Sequence, residues 1–128
     1  MPDHVIVLQK QQTKNFGCLL FLSNGTPMFC AGDEFMNTQG GNNNPYNQDN
    51  ETTWLNWDLL QKNHDIVRFF TLWIAFRKTH PLLGHSRFWR EDFHWYGVGT
   101  EVDHSLWSHS LAFCLTDRSS RTPASMPW

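Results

Sequence analysis

Apolar positions near the start of the chain, Val5, Leu8, Phe16, Leu19 and Leu20, recur at partly helical spacing, with Gln, Lys and Asn filling the polar side. The spacing predicts a helix that starts near Asp3. Ser23-Asn24-Gly25 ends it, because Asn and Gly both tolerate the left-handed conformation of a helix terminus. Pro27 then opens Met28-Phe29-Cys30-Ala31, apolar at both alternating positions, as in a strand buried on both faces of a parallel sheet or barrel. Helix, tight turn and buried strand in this order are an α/β signature.

From Gly32 to Asn50 the pattern changes to Gly40-Gly41, Asn42-Asn43-Asn44, Pro45 and Gln48-Asp49-Asn50, which predicts a long loop. Loops beyond about 12 to 15 residues are usually functional or disordered, and this one follows the C-terminal end of a predicted strand, where α/β sheets place ligands. Trp54-Leu55-Asn56-Trp57 closes it, and its two tryptophans read as core residues, with stacking platforms as the alternative. A second helix starts at Asn63, with Asn63 as its N-cap and Asp65 in its first turn. Ile66, Phe69, Phe70, Trp73, Ile74 and Phe76 form its apolar face, and Pro81 stops it. Arg77 and His80 complement the helix C-terminus. Two short strands follow, Phe93 to Val98 and Ser110 to Leu115, which open an all-β unit too small to hold a core of its own. The tail 117–128, rich in Ser, Arg and Pro, reads as disordered.

The chain has 128 residues, and 10 Lys+Arg against 12 Asp+Glu leave a formal charge of −2, which provides no basic field for nucleic acid. No apolar run approaches the roughly 20 residues of a membrane span. Asp3 and His4 precede a short apolar stretch without a basic leader region, so the expectation is a cytoplasmic protein. Under that expectation the two glycosylation-type triplets, at Asn24 and Asn50, are chance matches. Cys18, Cys30 and Cys114 are widely spaced among Leu and Phe, and read as buried thiols. The histidines lack paired ligand spacing, so no metal site is expected and no cofactor is implied. A complete (β/α)8 barrel, at roughly 250 residues, cannot close within this length.

Several spaced blocks nevertheless agree in order with one family. They are Gly25-Thr26-Pro27-Met28, Ala31-Gly32-Asp33-Glu34-Phe35, Gly41-Asn42-Asn43-Asn44, Gln48-Asp49-Asn50-Glu51 and Trp54-Leu55-Asn56-Trp57, flanked by Leu8 to Phe16 and by Phe76-Arg77-Lys78-Thr79-His80-Pro81. Together they resemble the isoamylase-type glycogen debranching enzymes, glycoside hydrolases of the α-amylase superfamily, colinearly from about Leu8 to Leu115. The resemblance implies an α/β fold comprising the last helix-strand-helix portion of a (β/α)8 barrel (1–81), followed by the first strands of a C-terminal β-sandwich (82–116). It also implies that the nucleophile Asp, the acid/base Glu and the stabilising Asp precede Met1. The chain is then a fragment, itself inactive, of an enzyme that hydrolyses α-1,6 branch linkages. Met36 and Asn37 depart from the family, which commonly has Gly and Arg there, and the sequence from Ser119 to Trp128 matches nothing in it.

Asp33 and Glu34 are the obvious carboxylate pair, but neighbours at a strand end point to opposite faces, so one is expected to line the barrel mouth and the other to bond the loop backbone. Tyr46, Gln48, Asp49 and Asn50 are the sugar-contact candidates, joined by Asp33. Planar polar groups bond vicinal hydroxyls, and an aromatic ring covers the apolar face of a pyranose. Equally, Asn and Asp residues here could serve only to satisfy turns. The partners expected are an α-glucan such as glycogen or limit dextrin and the missing N-terminal part of the barrel. Self-association is also expected, through open sheet edges and the face of Phe69, Phe70 and Trp73. The alternative reading is a non-catalytic carbohydrate-binding or interaction piece derived from such an enzyme.

Overall fold

Helix α1 spans Asp3–Leu22, as the apolar spacing predicts, with Asp3 favouring its positive N-terminal end. Its C-terminus is closed by Ser23, whose backbone N–H and hydroxyl both donate to the Leu19 carbonyl, at 3.0 and 2.5 Å. Of the turn residues it is Gly25, at φ 102°, that takes the positive φ reserved for glycine. The computed structural model describes residues 1–86, 88–90 and 93–116, so the predicted tail 117–128 lies outside the described residues.

The expected buried strand at Met28–Ala31 is not formed. This run lies outside any ladder, with Met28 85% exposed and Phe29, Cys30 and Ala31 also open. A strand exists only by pairing, and the two strands among the described residues, β1 and β2, pair with each other. The buried-thiol expectation fails with it. Cys30 and Cys114 are exposed, and only Cys18 is partly covered, where burial pushes its thiol pKa up against an opposing bond from Trp73.

Two further helices follow the loop. The short α2, Asp58–Lys62, was not expected, and its first turn is held by the Asn56 side chain, which accepts from the Asp58 N–H at 3.1 Å. Helix α3, His64–Thr79, packs along α1. Phe21 of α1 and Ile66 and Phe70 of α3 form the buried cluster, with Met36, Phe69 and Trp73 packed around it. Ring centroids place Phe21 5.6 Å from Phe70, edge on, and 6.4 Å from Trp73, stacked. Gly17 allows this approach, since a Cβ there would lie 2.9 Å from Phe69 Cε1. The apolar face is narrower than predicted, because Ile74 and Phe76 are exposed. Nor is the face of Phe69, Phe70 and Trp73 left open, for Phe21 and Phe29 cover Phe70. Lys10 and Lys14 both bind the Asp65 carboxylate, at 2.6 and 3.1 Å, and so pin α1 to the start of α3.

Asn63 and Arg77 have different roles from those expected. Asn63 makes no side-chain cap; its amide instead donates to the Phe35 carbonyl at 3.0 Å. Arg77 reaches away from its own helix and donates to the carbonyls of Phe21, Ser23, Gly25 and Leu83. It thereby satisfies the carbonyl end of α1 and the turn beyond it. His80 does stay with its own helix, with Nδ1 2.7 Å from the Phe76 carbonyl. A 3-10 turn at Pro81–Gly84 leads on to strands β1 (Phe93–Tyr96) and β2 (Ala112–Leu115). They are shorter than predicted and antiparallel, with Phe93 opposite Leu115 and Tyr96 opposite Ala112. Among the described residues the architecture is therefore a small mixed helix and strand unit with one two-stranded antiparallel sheet.

Arg77→Ala is expected to remove at least one charge-assisted bond, about 1.5–3 kcal/mol, and to lower the urea midpoint at unchanged m-value. Asp65 is held below the usual carboxylate pKa, chiefly by the Lys10 bond, with Lys14 adding and burial opposing. A depressed folded pKa gives stability that is full above the unfolded value and is lost as pH falls through the folded one. The gap in Tm between wild type and Asp65→Asn should therefore be present at neutral pH and shrink below about pH 4.

Candidate functional site

The loop is anchored at both ends by its own side chains. Gly32, at φ 100°, approaches Asn37 and Leu55 so closely that a Cβ would lie 2.7 Å from Asn37 Cβ, and its carbonyl accepts from the Phe35 and Asn37 N–H groups. Asp33–Phe35 forms a 3-10 turn. Asp33 Oδ2 accepts from the Cys30 N–H at 2.9 Å, and Glu34 Oε2 from the Gly32 N–H at 2.8 Å. Both carboxylates thus bond the loop backbone, where only one was expected to do so. Phe35 is fully buried, its carbonyl held by Asn63 and its ring 5.4 Å from that of Trp57. The two departures from the family pattern have local roles: Met36 packs against the Phe21 cluster, and Asn37 Oδ1 accepts from the Asn56 N–H across the loop at 3.0 Å.

The middle of the loop is a chain of Asx turns and amide contacts. Asn42 Oδ1 accepts from the Asn44 N–H, and Asn42 Nδ2 donates to Gln48 Oε1 at 3.3 Å. Thr53 Oγ1 donates to the Gln48 carbonyl at 2.7 Å, and Asn50 Oδ1 accepts from the Thr52 N–H at 2.9 Å. Trp54 Nε1 donates to Asp49 Oδ1 at 2.8 Å. Of the sugar-contact candidates, Gln48, Asp49 and Asn50 are therefore tied together within one knot of the loop, and Tyr46 projects from it, 83% exposed. Asp33 is not brought to them. It lines a separate open groove of about 940 Å³ beside α1, with Phe16, Gly17, Met28 and Asn63 on its walls.

The residues that sequence reasoning misplaced are Trp54 and Trp57, which are 56% and 62% exposed and not core. The signal was present in the polar neighbours Thr53 and Asn56 and in a carboxylate five positions before Trp54. Among the described residues, no three His, Cys, Asp or Glu side chains are grouped to hold a metal ion. No helix of the described residues is long and apolar enough to cross a membrane.

No family model matches this chain. Individual relatives do match. By sequence the chain is related to the isoamylase-type glycogen debranching enzymes. It is 34% identical over 125 residues to a glycogen operon protein GlgX homolog of Mycobacterium bovis, covering 89% of this chain and 17% of that one. It is 38% identical over 114 residues to isoamylase 1, chloroplastic, of Oryza sativa subsp. japonica, covering 88% and 14%. A glycogen debranching enzyme of Dickeya chrysanthemi is 49% identical over 73 residues, covering 57% and 11%. The chain thus spans less than a fifth of the length of these relatives.

Asn63→Ala should leave the buried Phe35 carbonyl without its partner, at a cost of about 1–3 kcal/mol. The check is chemical denaturation, and Asn63→Asp, which cannot donate, should not restore the loss.

Proposed function

We propose that this chain is a segment of an isoamylase-type glycogen debranching enzyme, a glycoside hydrolase acting on α-1,6 branch linkages of glycogen or a related α-glucan. The observation that carries this reading is the 49% identity over 73 residues to a protein named glycogen debranching enzyme. In this reading residues 1–81 form the end of a (β/α)8 barrel: α1 is its seventh helix, Met28–Ala31 its eighth strand, the loop after it the eighth loop, and α3 its eighth helix. Residues 82–116 open a C-terminal β-sandwich. Tyr46, Gln48, Asp49 and Asn50, with Asp33, belong to the glucan-binding mouth, and the enzyme works in the cytoplasm.

The chain alone is proposed to be inactive. A retaining glycosidase needs two carboxyl groups about 5 to 5.5 Å apart across the scissile bond, and the adjacent Asp33 and Glu34 are each engaged by loop backbone. Its partners are then the remainder of the barrel and the glucan, with self-association through uncovered apolar residues such as Phe16, Leu19 and Met28 when the remainder is absent. A second reading, a non-catalytic carbohydrate-binding piece, is favoured by the exposure of Tyr46 and Trp54.

The test is complementation. The chain is mixed with the Dickeya chrysanthemi glycogen debranching enzyme from which the matching 73 residues have been deleted, and reducing ends released from glycogen are measured. Neither component alone should release them, and the mixture should. Hydrolysis by the chain alone would overturn the segment reading. Glycogen binding by a mixture that assembles without hydrolysing would support the second reading.

A further inference from the structure

Trp54 is turned outward and is held there by its own loop. An indole carries the largest apolar surface of any side chain and is normally well covered, yet Trp54 is 56% exposed and shares no ring contact with another aromatic among the described residues. It is nonetheless held from two points of its own loop. Its backbone N–H donates to the Asn50 carbonyl at 3.1 Å, and its indole N–H donates to Asp49 Oδ1 at 2.8 Å. The indole N–H is the only hydrogen-bonding atom of that side chain. With it satisfied, what Trp54 offers to an incoming molecule is its apolar ring face. Trp57 differs, for although 62% exposed its ring leans on Phe35.

The geometry points to Trp54 as a stacking platform for the C–H face of a glucose ring, oriented by Asp49 acting as a positioning residue and not as a sugar ligand. This rests on the α-glucan reading above and deepens it. Pyranose rings present a patch of C–H bonds between equatorial hydroxyls, and a flat ring whose donor is already engaged covers that patch without competing for the hydroxyls. The Asp49 contact fixes the indole's rotation, which a free exposed side chain would have to surrender on binding. Tyr46 and the amides of the same loop lie nearby in sequence to bond what projects beyond the stack.

The test uses the full 128-residue chain with maltoheptaose as probe and cellohexaose as comparison. Binding is followed on the indole N–H signals of its seven tryptophans, with that of Trp54 assigned by its loss in Trp54→Phe. Thermal midpoints confirm that each variant folds. Maltoheptaose should move the Trp54 signal, and Trp54→Ala should weaken binding at least about tenfold. Asp49→Ala should weaken it several-fold, and Asp49→Asn, which keeps a carbonyl acceptor for the indole, should stay near wild type. In a Trp54→Phe background, which keeps a ring but has no N–H to hold, Asp49→Ala should cost nothing further.

An equal cost of Asp49→Ala in both backgrounds would make Asp49 a direct ligand and overturn its positioning role. Maltoheptaose binding with an unmoved Trp54 signal would overturn the platform and leave the α-glucan reading standing. A Trp54 signal moved by cellohexaose and not by maltoheptaose would keep the platform and overturn the α-glucan reading. No response to either sugar overturns the platform outright.

Discussion

Phe21 sits where helix α1, the segment after it and helix α3 meet, at the centre of the buried cluster. Its ring is 1% exposed and packs edge-on against Phe70 and Phe29 and flat against Trp73. Edge-to-face aromatic pairs of this kind contribute about 0.5–1.5 kcal/mol each beyond the area they bury. The same junction is closed from outside by Arg77, whose guanidinium satisfies the carbonyls of Phe21 and the residues after it. One ring and one guanidinium thus set the angle between the two long helices and the direction in which the chain leaves α1. Beyond this seam the core is thin. Only Phe35, Ile66, Phe70 and Leu83 join Phe21 as buried hydrophobics among the described residues.

Local chemistry was legible in the sequence where it acts within one element. The 3.6-residue spacing places α1 and α3 nearly to the residue, Pro81 stops α3, and the runs 93–98 and 110–115 mark β1 and β2, which form over the shorter 93–96 and 112–115. What the sequence could not show was anything settled by a neighbour. Met28–Ala31 has the composition of a buried strand but joins no ladder among the described residues, so it stays exposed. Asn63 has the position of an N-cap, but the buried Phe35 carbonyl is the needier acceptor, and the amide goes there. Arg77 has the position of a dipole partner for its own helix, yet it spans a longer distance to carbonyls that α1 leaves open.

The loop illustrates the same division. Its turn residues were readable one by one, and the positive φ at Gly32, Gly40 and Gly41 follows from glycine alone. That Gln48, Asp49 and Asn50 would spend their polar groups on Asn42, Thr53, Trp54 and Thr52 is a property of the folded knot. The amide and carboxylate side chains offered as sugar contacts also hold the loop in shape, the turn role that the sequence left equally open, and Trp54 and Trp57 are exposed.

The chain reads as a self-consistent helix pair and loop carrying one apolar segment, Met28–Ala31, that belongs to no ladder among the described residues. Native-state hydrogen exchange tests this most directly. In the isolated chain the Phe70 amide within α3 should be protected, whereas the Phe29 and Ala31 amides should exchange near the rate of an unfolded peptide. If the segment is the proposed barrel strand, they should slow at least about tenfold once the deleted Dickeya chrysanthemi enzyme is added. Protection of Phe29 and Ala31 equal to that of Phe70 in the chain alone would contradict the account.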